Sequence, residues 1–138
     1  MADFLAIRSI LTLLPGRFAI ARIDPAAAIP SWVWNGPFTS VSRTPTELSI
    51  VCDEAVIPPD FVADRGWCAF VVLGPMDLST VGVLASITWP LAEAQVALFA
   101  ISTFETDYIL VREDSAERAV DVLKAAGHEI NATRSFDH

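Results

Sequence analysis

The sequence is poor in the residues on which most catalysis depends. It holds two histidines, His128 and His138, and two cysteines, Cys52 and Cys68. His128 follows an apparent helix stop and reads as a solvated loop residue rather than a general base. No GxSxG, HExxH, CxxC or GxxxxGKS/T string occurs, so the common nucleophile, metal and phosphate motifs are missing. Asp53-Glu54 and Glu113-Asp114 are adjacent acid pairs. Neighbours on a strand face opposite ways, and Glu113-Asp114 opens a helix, so neither pair forms an acid–base dyad. These absences point away from an enzyme, and no metal or cofactor is expected.

Basic residues are also scarce: nine Lys and Arg against seventeen Asp and Glu, a net charge of −8. Without a basic run or stripe there is no electrostatic footprint for nucleic acid, and an anionic membrane surface is equally disfavoured. Long apolar runs are missing too. The charge-free stretches Pro25–Ser42 and Leu78–Ala92 are interrupted by prolines or by Ser, Thr and Gly, short of the ~20 mostly apolar residues a spanning helix needs. Met1-Ala2-Asp3-Phe4 lacks the basic start of a secretory signal, which makes a cytoplasmic location the default expectation. Cys52 and Cys68 sit in apolar runs and are expected to be reduced, buried hydrophobes.

What remains is a globular composition: 138 residues, 53% hydrophobic and 19% charged, with mean hydropathy +0.47. That apolar surplus suggests cover from a partner subunit. Residues 67–138 read most clearly. Trp67–Leu73 is a short strand ended by Gly74-Pro75. Asp77 and Ser79 are plausible caps for a helix whose apolar face runs to about Ala94, with a kink or early end at Pro90. Val96–Phe104 and Tyr108–Arg112 form a hairpin around Glu105-Thr106-Asp107. Asp114-Ser115-Ala116-Glu117 resembles a capping box, Ala116, Ala119, Val120, Leu123 and Ala126 line one helix face, and Gly127 stops it. Glu129–Thr133 supplies a last strand. The order is βαββαβ, an α+β, ferredoxin-like arrangement: an antiparallel sheet with both helices on one face. The opposite face must be solvated or covered by a neighbour.

Residues 1–62 look like a smaller, less regular copy, divided from a C-terminal domain 63–138. Phe4–Leu14 and Phe18–Ile23 flank Pro15-Gly16 and suggest a hairpin. Pro25–Trp34 suggests a short helix, and Phe38–Arg43 with Leu48–Cys52 a second strand pair. Val56–Asp60 reads as the linker.

The segment PLAEAQVALFAISTFETDYILVR, Pro90–Arg112, resembles the signature of ACT domains, most specifically over Ile101–Val111. It looks especially like the subgroup that places small bacterial ACT proteins beside arginine sensing in the TOR pathway. LSIVCDE (Leu48–Glu54) followed by Arg65-Gly66-Trp67 resembles that subgroup's inter-domain region. The resemblance implies ferredoxin-like ACT-type units in tandem, assembly as a homodimer, and a regulatory role in binding a free amino acid. It points to the loop Thr80, Val81, Gly82 and Val83, to Thr103, Phe104, Thr106 and Asp107, and to the backbone of Val96 and Ala97 across an interface.

The chemistry of these residues suits that ligand. A helix start offers unpaired amides to a carboxylate, and Gly82 lets a ligand approach the backbone. Asp107 can meet an ammonium, and Phe104 can form an apolar wall. Each residue also has a structural use: Glu105-Thr106-Asp107 as an ordinary turn, Phe104 with Tyr108 as a cross-strand pair, Gly82 for close packing. A ligand-free interaction or oligomerisation module is the alternative.

Overall fold

A computed structural model describes residues 3–73 and 81–132. Among the described residues eight strands run β1 (Ile10–Leu13), β2 (Phe18–Ile23), β3 (Thr39–Arg43), β4 (Leu48–Asp53), β5 (Asp64–Val72), β6 (Leu98–Ser102), β7 (Asp107–Arg112) and β8 (Glu129–Ala132); the helices are α1 (Val83–Glu93) and α2 (Ala116–Ala125). The chain divides into two compact units, Met1–Pro15 with Cys68–His138, and Gly16–Trp67. The sequence division at 62/63 differs from this at both ends: the first fifteen residues count with the C-terminal part, and the second boundary falls at 67/68.

In the larger unit, β5, α1, β6, β7, α2 and β8 follow the expected βαββαβ order. Antiparallel pairing joins β6 to β7, from Leu98↔Val111 to Ser102↔Asp107, and β7 pairs with β5. The expected hairpin of Phe4–Leu14 with Phe18–Ile23 does not form. Instead β1 lies antiparallel to β5, with Leu11↔Val72 and Leu13↔Phe70, and parallel to β8, with Ile10↔Glu129. The strand order is therefore β6-β7-β5-β1-β8, with β1 inserted between the first and last strands of the βαββαβ set. Pro15-Gly16 is a real chain reversal, with Gly16 at φ +79°, but a turn signal does not say which strands will pair. Phe4–Ala6, expected in a strand, belongs to the 3-10 turn Asp3–Ala6.

Alternation explains the core. Leu11 and Leu13 of β1, Cys68, Phe70 and Val72 of β5, and Ile109 and Val111 of β7 share one face, packed against Ile87 and Leu91 of α1 and Ala116, Ala119, Val120 and Leu123 of α2. Each large side chain buried there is worth about 1.5–3 kcal/mol. The opposite face is not bare: Ala69 and Leu110 are buried, while Phe99 and Tyr108 are half-buried.

α1 runs through Pro90 rather than stopping there. A proline at that position has no N–H to give the carbonyl four residues back, which belongs to Ser86. His128 takes up that carbonyl, its Nε2 lying 2.9 Å from Ser86 O. Its Nδ1 accepts the Ser9 N–H at 3.1 Å, so the proton sits on Nε2 and donates to Ser86. His128 is consequently buried, not a solvated loop residue. The capping box expected at Asp114–Glu117 is replaced by a 3-10 turn, Glu113–Ser115, with Ser115 at the cap making no side-chain cap bond. Both helices end alike: Val96 N–H reaches Leu91 O and His128 N–H reaches Leu123 O, with a positive φ at Gln95 (62°) and Gly127 (97°).

In the unit Gly16–Trp67, β4 pairs with β2 from Phe18↔Asp53 to Ile23↔Leu48 and with β3 from Thr39↔Cys52 to Arg43↔Leu48. The first residues of β5 pair with β2, where the register shifts between Phe18↔Trp67 and Ile20↔Asp64. The extra residue on β5 is accommodated beside Gly66 at φ +85°, whose N–H donates to Glu54 Oε2 at 2.9 Å. The expected short helix is the 3-10 turn Ser31–Asn35. Ala19, Ala21, Val33, Ile50, Cys52 and Ile57 form the core. Ile57 was expected in a linker, yet it is buried there.

Candidate functional site

Of the ten residues expected at the site, the nine that are described fall on three places in the larger unit. Thr103, Phe104 and Thr106 lie in the connection between β6 and β7, and Asp107 opens β7. The connection's backbone closes through Thr103 N–H to Thr106 O at 2.8 Å. The Thr103 hydroxyl completes it, donating to Thr106 O at 3.1 Å and accepting the Thr106 N–H at 3.2 Å. The buried Thr106 hydroxyl then donates to Val72 O at 2.6 Å, tying the turn to the end of β5. Asp107 is buried with its Oδ1 accepting the Ser102 hydroxyl at 2.5 Å. Beside this fixed polar group, Phe104 is 80% exposed. It is therefore not the buried half of a cross-strand pair, and its ring is available to a partner or ligand.

Val81, Gly82 and Val83 lie at the start of α1; Thr80, Asp77 and Ser79 lie outside the described residues. Val81 is exposed, and Val83 packs on the core. Gly82 caps the helix at φ +91°. A Cβ there would lie 2.9 Å from Phe4 Cβ and 3.1 Å from Ile7 Cδ1. The close approach that glycine permits is thus made by the chain's own residues 4 and 7.

Val96 and Ala97 stand apart. Val96 is buried, and its N–H is committed to Leu91 O, which leaves only its carbonyl for a ligand. Ala97 is exposed.

Ser102 was not among the residues expected at the site, and nothing in the sequence signals the part played by the Val72 carbonyl. Nor does the sequence signal an open cavity of about 400 Å³ in the other unit, lined by Arg22, Ile23, Asp24, Pro25 and Thr46. There Arg22 donates to Thr46 O at 3.2 Å, and Asp24 caps Ala26 N–H at 2.8 Å. Among the described residues no group of three or more His, Cys, Asp or Glu could hold a metal. None of the described helices is long and apolar enough to cross a membrane.

A βαββαβ unit with a polar β6–β7 turn, held to the end of β5, places this part of the chain in the ferredoxin-like class of α+β folds. The comparisons narrow this. Residues 62–125 match the ACT domain family model, and a separate model for an N-terminal domain matches residues 16–60. The crystal structure of a protein from Agrobacterium tumefaciens is 38% identical, with a TM-score of 0.86, covering 96% of this chain and 98% of that one. The chain belongs to the ACT-domain family. The bovine cytosolic arginine sensor for mTORC1 subunit 1 is 30% identical over 97 residues, 62% of this chain. The match spans only 30% of that sensor's length. The regulatory subunit of aspartate kinase from Thermus thermophilus shares the fold, with a TM-score of 0.59 at 14% identity, covering 84% of this chain and 96% of that one.

Proposed function

We propose that the chain is a non-catalytic regulatory module that binds a free amino acid at the β6–β7 turn and the start of α1, and that it acts as a homodimer. The observation that carries this is the Ser102–Asp107 pair beside Phe104: a buried carboxylate held by a short hydrogen bond next to an exposed aromatic ring. A buried carboxylate gains most from a cationic partner, and the α-ammonium or a basic side chain of an amino acid supplies one. Phe104 offers an apolar wall to the aliphatic part. Thr103 and Thr106 fix the turn so that little ordering is left to the moment of binding. The names of two relatives, an arginine sensor and a kinase regulatory subunit, support this reading and put arginine first in a screen.

A thermal-shift screen of the twenty common amino acids tests the proposal. A ligand at about 100 times its Kd adds ~2.7 kcal/mol, several degrees for a protein of this size. Asp107→Ala should weaken the response by about 10- to 150-fold, the loss of one charged hydrogen bond of ~1.5–3 kcal/mol. A folded wild-type protein that responds to none of the twenty would contradict the proposal. The second reading, a ligand-free interaction module, draws on the exposure of Leu73, Val81 and Phe104; a stable complex without any small-molecule response would favour it.

A further inference from the structure

The start of α1 is covered. Phe4 and Ile7 meet Gly82 closely, and the Phe4 ring stands edge-on to Trp89, centroids 6.3 Å apart. The cover is slight: Phe4 and Ile7 are half-buried, while Asp3, Leu5, Ala6 and Arg8 are exposed. The segment's internal bonds are the Ile7 N–H to Phe4 O at 3.1 Å and the Arg8 guanidinium to Leu5 O at 2.9 Å and Ile7 O at 3.3 Å. Its far end is fixed. The Ser9 N–H is held by His128, and the Ser9 carbonyl accepts the Glu129 N–H at 2.9 Å. A segment with few apolar contacts and one firm end opens locally at low cost, about that end.

We propose that residues 3–8 form a strap that closes over the start of α1 and swings aside, about Ser9, to admit a small molecule to the backbone at Gly82. This rests on the amino-acid reading above. While closed, the strap reduces the binding-competent fraction, and the apparent Kd exceeds the intrinsic one by the inverse of that fraction. The anchor is Ser9 with His128; the latch is Phe4 with Ile7.

The test uses the full chain, wild type against Phe4→Ser with Ile7→Ser, and Leu5→Ser as an exposed-position control. Phe4→Ala serves where the double change costs the fold. Hydrogen exchange of residues 3–8 reports the strap, and calorimetric titration with each of the twenty common amino acids reports binding. In the latch variant the strap amides should exchange faster while β1 amides do not change, and the bound amino acid should bind at least three-fold more tightly. Leu5→Ser should match wild type in both. In wild type, a saturating amino acid should speed strap exchange. Unchanged or weaker binding in a variant whose strap exchanges faster would overturn the strap alone, leaving the amino-acid reading intact. Binding of no amino acid by any folded variant would overturn both.

Discussion

His128 shows how much a single residue's role depends on partners distant in sequence. Pro90 leaves the Ser86 carbonyl without a helical donor, and that carbonyl lies inside the protein, where an unpaired acceptor costs about 1–3 kcal/mol. The imidazole supplies the donor and meets the Ser9 amide with its other nitrogen. His128→Ala should therefore destabilise the protein by about 1–3 kcal/mol. In a Pro90→Ala background the helix recovers its own donor, so the same change should cost about 1 kcal/mol less. Urea unfolding of the four proteins measures this coupling; equal costs in both backgrounds would show that the proline and histidine are not linked. None of this was readable beforehand, because the sequence around Gly127-His128 announces only a helix end. Cys52 is the opposite case. Its apolar surroundings predicted burial, and burial, with the Asp53 carboxylate adding to it, pushes the thiol up from 9.0 to about 11. The unfolded chain loses this proton first. Cys52 therefore contributes stability that is present below pH 9 and declines as pH rises towards 11. The urea midpoint should fall across that range less steeply in Cys52→Ala than in wild type; parallel slopes would contradict the assignment.

At the scale of elements, legibility follows the range of the contacts. β6, β7 and α2 were readable because their signals are local: β-branched alternation, a short polar turn, and an apolar helical stripe ended by Gly127. The turn between β6 and β7 was readable for the same reason, with Thr103, Phe104 and Thr106 inside it and Asp107 at the start of β7. β1 was not, since only pairing with β5 and β8 across the chain decides its place. The Asp114–Glu117 cap pattern failed because a 3-10 turn precedes α2. The two helix ends offer a comparison. The same six-residue closure uses Gly127 after α2 and Gln95 after α1, and a non-glycine residue held left-handed costs about 1–2 kcal/mol. Gln95→Gly should raise stability by up to about 1 kcal/mol, part of the gain being returned to the more flexible unfolded chain. A lower thermal midpoint would mean that the Gln95 side chain makes contacts outweighing the strain.

At the scale of the whole molecule, residues 16–67 come in chain order between β1 and the part of β5 that pairs with it. β1 and β5 are antiparallel with Leu13 opposite Phe70, and the Leu14 N–H donates to Ala69 O at 2.9 Å, so the ladder brings the two ends of the larger unit together. Replacing residues 16–67 with Asn-Gly, a turn suited to two antiparallel strands, should leave a chain that melts cooperatively and keeps its helical circular dichroism. It should be less stable than the parent, because smaller domains bury a smaller share of their surface. A non-cooperative melt would show that the larger unit cannot fold alone. Every described candidate ligand residue lies within that unit, so the shortened chain should also keep any amino-acid response.

The central claim is that a free amino acid binds where the β6–β7 turn meets the end of β5. Amide chemical-shift mapping of the full chain, titrated with each of the twenty common amino acids, tests it most directly. The account predicts saturable shifts at Ser102–Asp107 and Leu73 for at least one of them, with shifts at Val81–Val83 as the strap lifts, and their loss in Asp107→Ala. Shifts confined to the cavity at Arg22, Asp24 and Thr46, or no saturable shift for any of the twenty, would contradict it.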